Sequence, residues 1–171
     1  MYEKIRYTNR IKGNGPLYIW VLVCLLVFAL VFGVIGWAVM NTLNFRAFVS
    51  DFSNSTTYAY RNHCLTAVTG EGEYPVTEDN LYVIYTRITN AGAGRVSDPP
   101  SQPPEAVLHY GDGSYMELWT VELVNPSNSR KYGLFISYVN PDGERYSYDT
   151  DQLELGVLPL SEYQNRPNKL K

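Results

Sequence analysis

The longest apolar run of the chain lies near its N-terminus and predicts a membrane-spanning helix. No charged side chain occurs in residues 17–40, which read LYIWVLVCLLVFALVFGVIGWAVM. At about 1.5 Å per residue this run gives a helix about 36 Å long, enough to cross a hydrocarbon core of about 30 Å. Trp20 and Trp37 stand near its two ends, where indole rings favour the membrane interface. We therefore expect residues 17–40 to form a transmembrane helix in a lipid bilayer.

The charges on either side of this run predict its orientation. Residues 1–16 carry four basic side chains and one acidic one, whereas the next twenty residues after the run carry only Arg46 and Asp51. Basic residues beside a span are retained on the cytoplasmic side. We expect a short basic cytoplasmic tail, residues 1–16, and an extracytoplasmic domain, residues 41–171. The apolar run is longer than that of a cleaved signal peptide, about 7–15 residues, so we expect a retained signal-anchor in the cell membrane.

Small residues share one side of the predicted span. Ala29, Gly33 and Gly36 lie at positions i, i+4 and i+7, which places them on one helix face. Small side chains let two membrane helices approach closely. One interpretation is therefore a homo-oligomer that packs through this face of the transmembrane helix. The other is that glycine is simply common in membrane helices.

Apolar residues at helical spacing continue after the span. They run from Phe45 to Ala67 and predict an amphipathic helix over residues 42–68. The serine- and threonine-rich stretch at residues 53–57 has poor helix propensity, so this helix either continues the span or bends there.

A second helix is better marked at both ends. Thr77 is a suitable N-cap, two acidic residues follow it, and Gly92 is a suitable stop. Between these ends one apolar stripe contains Leu81, Ile84, Tyr85 and Ile88.

From residue 105 onward the hydrophobic period changes to two, which predicts β-strands. Turn sequences at residues 111–113 and 140–143 and a loop at residues 125–130 divide this region. The predicted strands are residues 106–110, 115–124, 132–139 and 145–150. We predict an α+β fold: a single N-terminal transmembrane helix, then two helices packed on one face of a four-stranded antiparallel β-meander. A short helix at residues 151–155 and a frayed tail from Ser161 complete it.

Alternation along the third predicted strand separates two faces. The more apolar set, assigned to the core, contains Tyr132, Leu134, Ile136 and Tyr138. Phe135 and Val139 then lie on an outer face. Exposed apolar side chains gathered on a sheet commonly mark a partner site, so we expect these two residues to contact another protein.

Few residue patterns point to chemistry. Motifs for phosphate loops, zinc proteases, paired cysteines and serine hydrolases do not occur, and we expect no cofactor. Cys24 lies in the span and Cys64 outside it, so they cannot readily form an internal disulfide. His63 adjoins Cys64, but neighbouring side chains on a helix diverge by about 100°. Four carboxylates near the last hairpin are candidate calcium ligands; these are Asp142, Glu144, Asp149 and Asp151.

Charge and length limit the partners. Residues 46–171 carry ten basic and sixteen acidic side chains, a net of −6, which disfavours nucleic-acid binding. The proline-rich segment within residues 91–104 is either a stiff connection or a polyproline recognition element. The chain has fifteen tyrosines, and six of them lie on the predicted sheet. They favour either a contact face of the sheet, because tyrosine offers a broad apolar face and a hydroxyl group, or simply the strand conformation.

These features favour a non-enzymatic, single-pass protein of a bacterial envelope. Its extracytoplasmic domain would contact other envelope proteins in a membrane-associated assembly, as a scaffold or a secretion- or pilus-like accessory subunit. In outline the element order is similar to that of type IV pilin-like subunits. However, Gly15 is followed by Pro16, and Trp20 stands where the pilin processing site has glutamate. The alternatives are a membrane-anchored sensor or ligand-binding module, with a cleft between sheet and proline-rich loop, and an extracytoplasmic enzyme.

Overall fold

A computed structural model of the chain describes residues 15–92, 97–123 and 131–160. Nearly all of the predicted cytoplasmic tail, the glycine-rich start of the connection at residues 93–96, the loop at 125–130 and the tail from Ser161 lie outside them. The described residues form a long apolar N-terminal helix, a second helix and a six-stranded antiparallel sheet. The fold is therefore α+β.

The secondary-structure elements follow one another in a simple order. They are α1 (Gly15–Asn62), β1 (Thr66–Thr69), β2 (Gly72–Pro75), α2 (Glu78–Ala91), β3 (Ala106–His109), β4 (Tyr115–Glu122), β5 (Tyr132–Val139) and β6 (Arg145–Thr150). The strands lie in the order β2-β1-β3-β4-β5-β6, and every neighbouring pair is antiparallel. The chain divides into two compact units between Val39 and Met40.

The first part of α1 is apolar on all sides. Its most apolar window of 18 residues has a mean hydropathy of 3.0, and none of that window is buried. Trp20 is 71% exposed and Trp37 is 61% exposed. By length and composition this helix is able to cross a membrane.

The second part of α1 carries a single buried stripe. Its members repeat at intervals of three and four residues, each at most 1% exposed; they are Phe48, Phe52, Ser55 and Ala59. The helix does not break at residues 53–57, where the Thr57 hydroxyl donates to the Ser53 carbonyl at 2.8 Å. It ends at Asn62, before His63 adopts a φ of 51°. The prediction of helix as far as residue 68 is wrong, because Thr66–Thr69 form β1.

Strands β1 and β2 form a hairpin that the sequence did not predict, so the sheet has six strands rather than four. The Ala67 backbone pairs with Tyr74 on one side and with Leu108 on the other. Both strands have only four residues, and Ala67 is their one fully buried side chain. Such short strands give almost no alternation of period two, whereas Ala67 also fits the helical spacing from Cys64.

The predicted hairpins at the other end of the sheet are confirmed. Strands β3 to β6 match the predicted segments to within two residues, and the turns fall at the predicted glycines. The helices pack on one face of the sheet: the Phe48 and Phe52 rings lie 5.7 Å and 5.8 Å from the ring of Tyr138. Helix α2 adds Leu81, Ile84 and Ile88 to this core. The predicted short helix at residues 151–155 is instead a 3-10 turn at Leu155–Val157.

The opposite face of the sheet corrects the expected partner surface. Phe135 is only 3% exposed and Val139 only 8% exposed, so neither is available to another protein. Phe135 packs against the ring of Trp119, 5.6 Å away, and the Trp119 indole N–H donates to the Gln102 carbonyl at 2.9 Å. The prediction failed because it assumed that no other segment covers this face, whereas the proline-rich segment is hydrogen-bonded to it.

Candidate functional site

Helix α2 places Leu81, Tyr82 and Tyr85 beside α1. The Thr77 hydroxyl caps its first turn by accepting from the Asn80 N–H, and Leu81 and Ile84 turn into the core. Tyr85 packs against the Phe52 ring at 5.4 Å. Tyr82, one position beyond the buried stripe, is 69% exposed. The tyrosines of α2 therefore stand along the line where the two helices meet.

A groove runs between the two helices at this line, and we call it the α1–α2 groove. One depression of about 230 Å³ is lined almost entirely by apolar surface, from Ser53, Thr56, Thr57, Tyr60, Leu81, Tyr82 and Tyr85. A second of about 410 Å³ shares Tyr60 and Leu81 with the first, and is otherwise lined by Ala59, His63, Pro75, Val76, Thr77 and Glu78. Tyr60, which lines both, is 52% exposed.

The groove has a polar end and one unsatisfied hydroxyl. At its end the His63 Nδ1 lies 2.8 Å from a carboxylate oxygen of Glu78. In its wall the Thr56 hydroxyl is buried and has no hydrogen-bond partner within the described part of the chain. The groove can thus take an apolar side chain along its length and a positive charge or hydrogen-bond donor at its end.

A separate polar network fastens α1 to the sheet. The buried Ser55 hydroxyl donates to an Asp112 carboxylate oxygen at 2.6 Å and lies 2.8 Å from the Tyr138 hydroxyl. One turn earlier, Asp51 accepts from the Asn140 amide and from the Tyr146 hydroxyl, each at 2.9 Å. These bonds join groups far apart in sequence, so they fix the position of α1 on the sheet.

Charge states in this network follow from burial and hydrogen bonding. Burial raises the pKa of Asp112, but hydrogen bonds from Ser114 and Ser55 outweigh it and leave the pKa below its ordinary value. Burial, together with hydrogen bonds to Asp51 and Glu144, raises the pKa of Tyr146. The Asp112 carboxylate is thus charged and the Tyr146 phenol neutral near pH 7. Hydroxyl groups that keep their protons and a carboxylate that accepts from them suit a structural network.

Comparisons with protein-family models, with curated proteins and with solved structures return no match. A function for this chain is therefore inferred from its own sequence and geometry.

The structure separates the residues that a thiol mechanism would need. His63 contacts Glu78, while the Cys64 thiol donates to the Tyr110 carbonyl at 3.1 Å. Cys64 is half-buried beneath the β3–β4 turn.

The carboxylates considered for calcium also lie apart. Asp142 and Glu144 belong to the turn after β5, where their N–H groups donate to the Asn140 side-chain oxygen, whereas Asp149 and Asp151 lie at the far end of β6. Within the described ranges, His, Cys, Asp and Glu side chains form no group of three that could hold a metal ion.

The small residues of the predicted span face open space. A Cβ atom placed on Gly33 or Gly36 would meet nothing within 4 Å, and Ala29 is exposed. Packing of a second helix on this side stays a prediction.

Periodicity identifies Leu81 and Tyr85 as members of the apolar stripe of α2, but it does not identify the groove that they line. Tyr82 lies outside the apolar stripe of its helix, and Tyr60 only fits the helical spacing between Phe45 and Ala67, so periodicity gives neither a contact role. The one signal was compositional: the chain holds fifteen tyrosines, and those left on the exposed side of a predicted helix are candidates for contact.

Proposed function

We propose that this protein is a single-pass membrane protein of a cell envelope whose α+β domain works by binding another envelope protein. The observation that carries the proposal is the α1–α2 groove, an apolar surface with exposed tyrosines on the unit that follows an apolar helix able to cross a membrane. The charge asymmetry of the sequence supports an orientation with the N-terminus in the cytoplasm and the domain outside.

The lining of the groove indicates the kind of segment that binds there. Leu81 and the tyrosine rings favour an aliphatic or aromatic side chain, because burying apolar surface is the main source of affinity in such depressions. Glu78 is the one acidic side chain of the described lining, and one of its carboxylate oxygens lies beside His63. The domain is acidic overall, with ten basic and sixteen acidic side chains in residues 46–171. The partner segment therefore carries an apolar anchor followed by lysine or arginine.

Exposed tyrosines are well suited to such a contact. Tyr60 and Tyr82 present ring surface and a hydroxyl with only two side-chain torsions to order, so little entropy is lost on binding. A soluble monomer has no need to keep apolar rings facing each other across a groove.

Peptide selection tests this proposal directly. The full-length protein, reconstituted in lipid nanodiscs, is exposed to a displayed library of random peptides. We expect the enriched peptides to combine an aromatic or aliphatic residue with a nearby lysine or arginine, and to lose at least tenfold in affinity for Tyr82→Asp. Tyr58→Asp is the matched control, because Tyr58 is 44% exposed on α1 but does not line the groove.

Two results would contradict the groove as the binding site. One is the absence of any enriched peptide motif, and the other is equal binding of the selected peptides to Tyr82→Asp and to Tyr58→Asp. Thermal unfolding of both variants shows whether the fold is intact, since both tyrosines lie on the surface.

The ligand-binding alternative is favoured by a different depression. A space of about 370 Å³ lies beside the end of the proline-rich segment, lined by Thr69, Glu71, Glu105, Ala106, Leu155, Gly156, Leu158 and Leu160. Its lining is about half polar, which suits a small polar molecule better than a protein segment. At the end of this segment the Glu105 carboxylate accepts hydrogen bonds from the Thr120 N–H at 3.0 Å and from the Thr120 hydroxyl at 2.9 Å, which holds the segment against the sheet.

A further inference from the structure

The α1–α2 groove extends to β2, an outer strand of the sheet. Pro75, the last residue of β2, lines the second depression of the groove together with Glu78. At the other end of β2, Glu71 lines the depression of about 370 Å³ together with Leu160. Strand β2 has only four residues, so about 10 Å of sheet edge separates its two ends. Leu160, the last described residue, therefore lies close to the groove, at the other end of one short strand.

The chain reaches Leu160 on the side of the sheet that the helices cover. Leu160 is buried in the same hydrophobic core as Leu81, which lines both depressions of the groove. Residues 161–171, which follow it, read SEYQNRPNKLK. Leu170 is ten residues beyond Leu160, and ten residues span up to about 33 Å when the chain is extended. That length covers the path along β2 into the groove with residues to spare.

The charge of residues 161–171 is complementary to that of the domain. These residues carry three basic side chains and one acidic one, a net of +2, whereas residues 46–160 carry seven basic and fifteen acidic side chains, a net of −8. Three exposed acidic side chains lie between Leu160 and the groove; these are Glu71, Glu73 and Glu78. A basic segment is therefore attracted to this edge of the domain.

Leu170 gives this segment an apolar anchor of the kind that the groove accepts. It is the one leucine of residues 161–171, and Lys169 and Lys171 flank it. At the end of the groove the Glu78 side chain is 46% exposed beside His63. With Leu170 in the apolar part of the groove, the long lysine side chains can place their ammonium groups beside this carboxylate. Because the segment is tethered to the domain, its local concentration is on the order of millimolar, so a weak contact is enough to fill the groove.

We propose that residues 166–171 of the same chain occupy the α1–α2 groove, with Leu170 as the anchor and the flanking lysines beside Glu78, until a partner segment displaces them. This assignment rests on the proposed function, because the segment has the apolar anchor and the lysines expected of a partner. Its consequence is regulation: only a segment that binds more tightly than the tethered one enters the groove.

Photo-cross-linking in the purified protein tests which segment lies in the groove. A photoreactive phenylalanine analogue replaces Tyr60, which lines both depressions, in the full-length protein in lipid nanodiscs. We expect an internal adduct that maps by mass spectrometry to residues 166–171 and is lost in Leu170→Asp. Gln164→Asp is the matched control, because it adds the same charge to the segment but keeps the anchor, so its adduct should persist. An adduct that Leu170→Asp leaves unchanged, an adduct between two chains instead of within one, or no adduct to residues 166–171 would overturn the proposal.

Peptide affinity separates this proposal from the function on which it rests. A peptide selected for the groove should bind Leu170→Asp about tenfold more tightly than the parent protein or Gln164→Asp, because it no longer competes with the tethered segment. Equal affinities for these three proteins, with binding still lost in Tyr82→Asp, would overturn the tethered occupant and leave the groove as a partner site. The internal adduct without any selected peptide would support the occupant and contradict partner binding.

Discussion

Asp112 shows how a single side chain links the turn of a hairpin to a helix. It accepts hydrogen bonds from Ser55 on α1 and from the N–H and hydroxyl of Ser114, two residues ahead. Ser55 is buried and therefore needs a partner, since a buried hydroxyl without one costs about 1–3 kcal/mol. The position of α1 on the sheet thus depends in part on the charge of one carboxylate.

The pKa of Asp112 gives this contact a defined pH dependence. Its pKa in the folded protein lies below that of the unfolded chain, about 3.9, so the carboxylate stabilises the fold above that pH and the gain is lost as the pH falls through the folded pKa. We expect Asp112→Asn to lower the melting temperature at pH 7, and the difference from the parent protein to shrink below about pH 4. Thermal unfolding at pH 7, 5 and 3 measures it, and a difference that is constant across this range would contradict the account.

At the scale of elements, sequence patterns identified those with long or well-terminated signals. Helix α2 was predicted at both ends, because its cap and its apolar stripe agree, and strands β3 to β6 alternate over enough residues to be recognised. Strands β1 and β2 were missed because they have four residues each and only one buried position between them. The face assignment of β5 failed for a different reason. Its outer face is covered by the segment at residues 97–105, which packs on Trp119, and this contact joins residues that are distant in sequence.

The groove could not be predicted from the sequence for a related reason. It exists only because α1 and α2 lie side by side, and no periodicity records which exposed residues of two helices face each other. Sequence could show that Tyr82 is on the outer side of its helix, but not that Tyr60 stands across from it.

The β3–β4 turn allows a prediction with an internal control. Gly111 and Gly113 both have positive φ, 78° and 96°, so alanine is strained at either position, by about 1–3 kcal/mol. A Cβ atom on Gly111 would also collide with the Cys64 side chain, whereas one on Gly113 would meet nothing within 4 Å. Gly111→Ala should therefore lower the melting temperature by more than Gly113→Ala. Equal losses would show that the turn is not packed on Cys64.

For the molecule as a whole, orientation is the property that the proposed function needs first. Ser101 is exposed on the connection between α2 and β3, while Thr8 belongs to the basic N-terminal segment. With Cys24 and Cys64 replaced by serine, we expect Ser101→Cys to react with a membrane-impermeant maleimide on intact cells. Thr8→Cys, the control, should react only after permeabilisation. The opposite pattern would reverse the orientation, and reaction at both positions in intact cells would exclude a single span.

The central claim is that the α1–α2 groove of the domain binds another envelope protein, and photo-cross-linking from within the groove tests it most directly. A photoreactive phenylalanine analogue at position 82, in the full-length protein in native membranes, should yield one adduct with another protein, and a peptide selected for the groove should compete it away. The same analogue at position 58 should not yield that adduct. Adducts of equal intensity from both positions, or an adduct at position 82 that the peptide leaves unchanged, would contradict the claim.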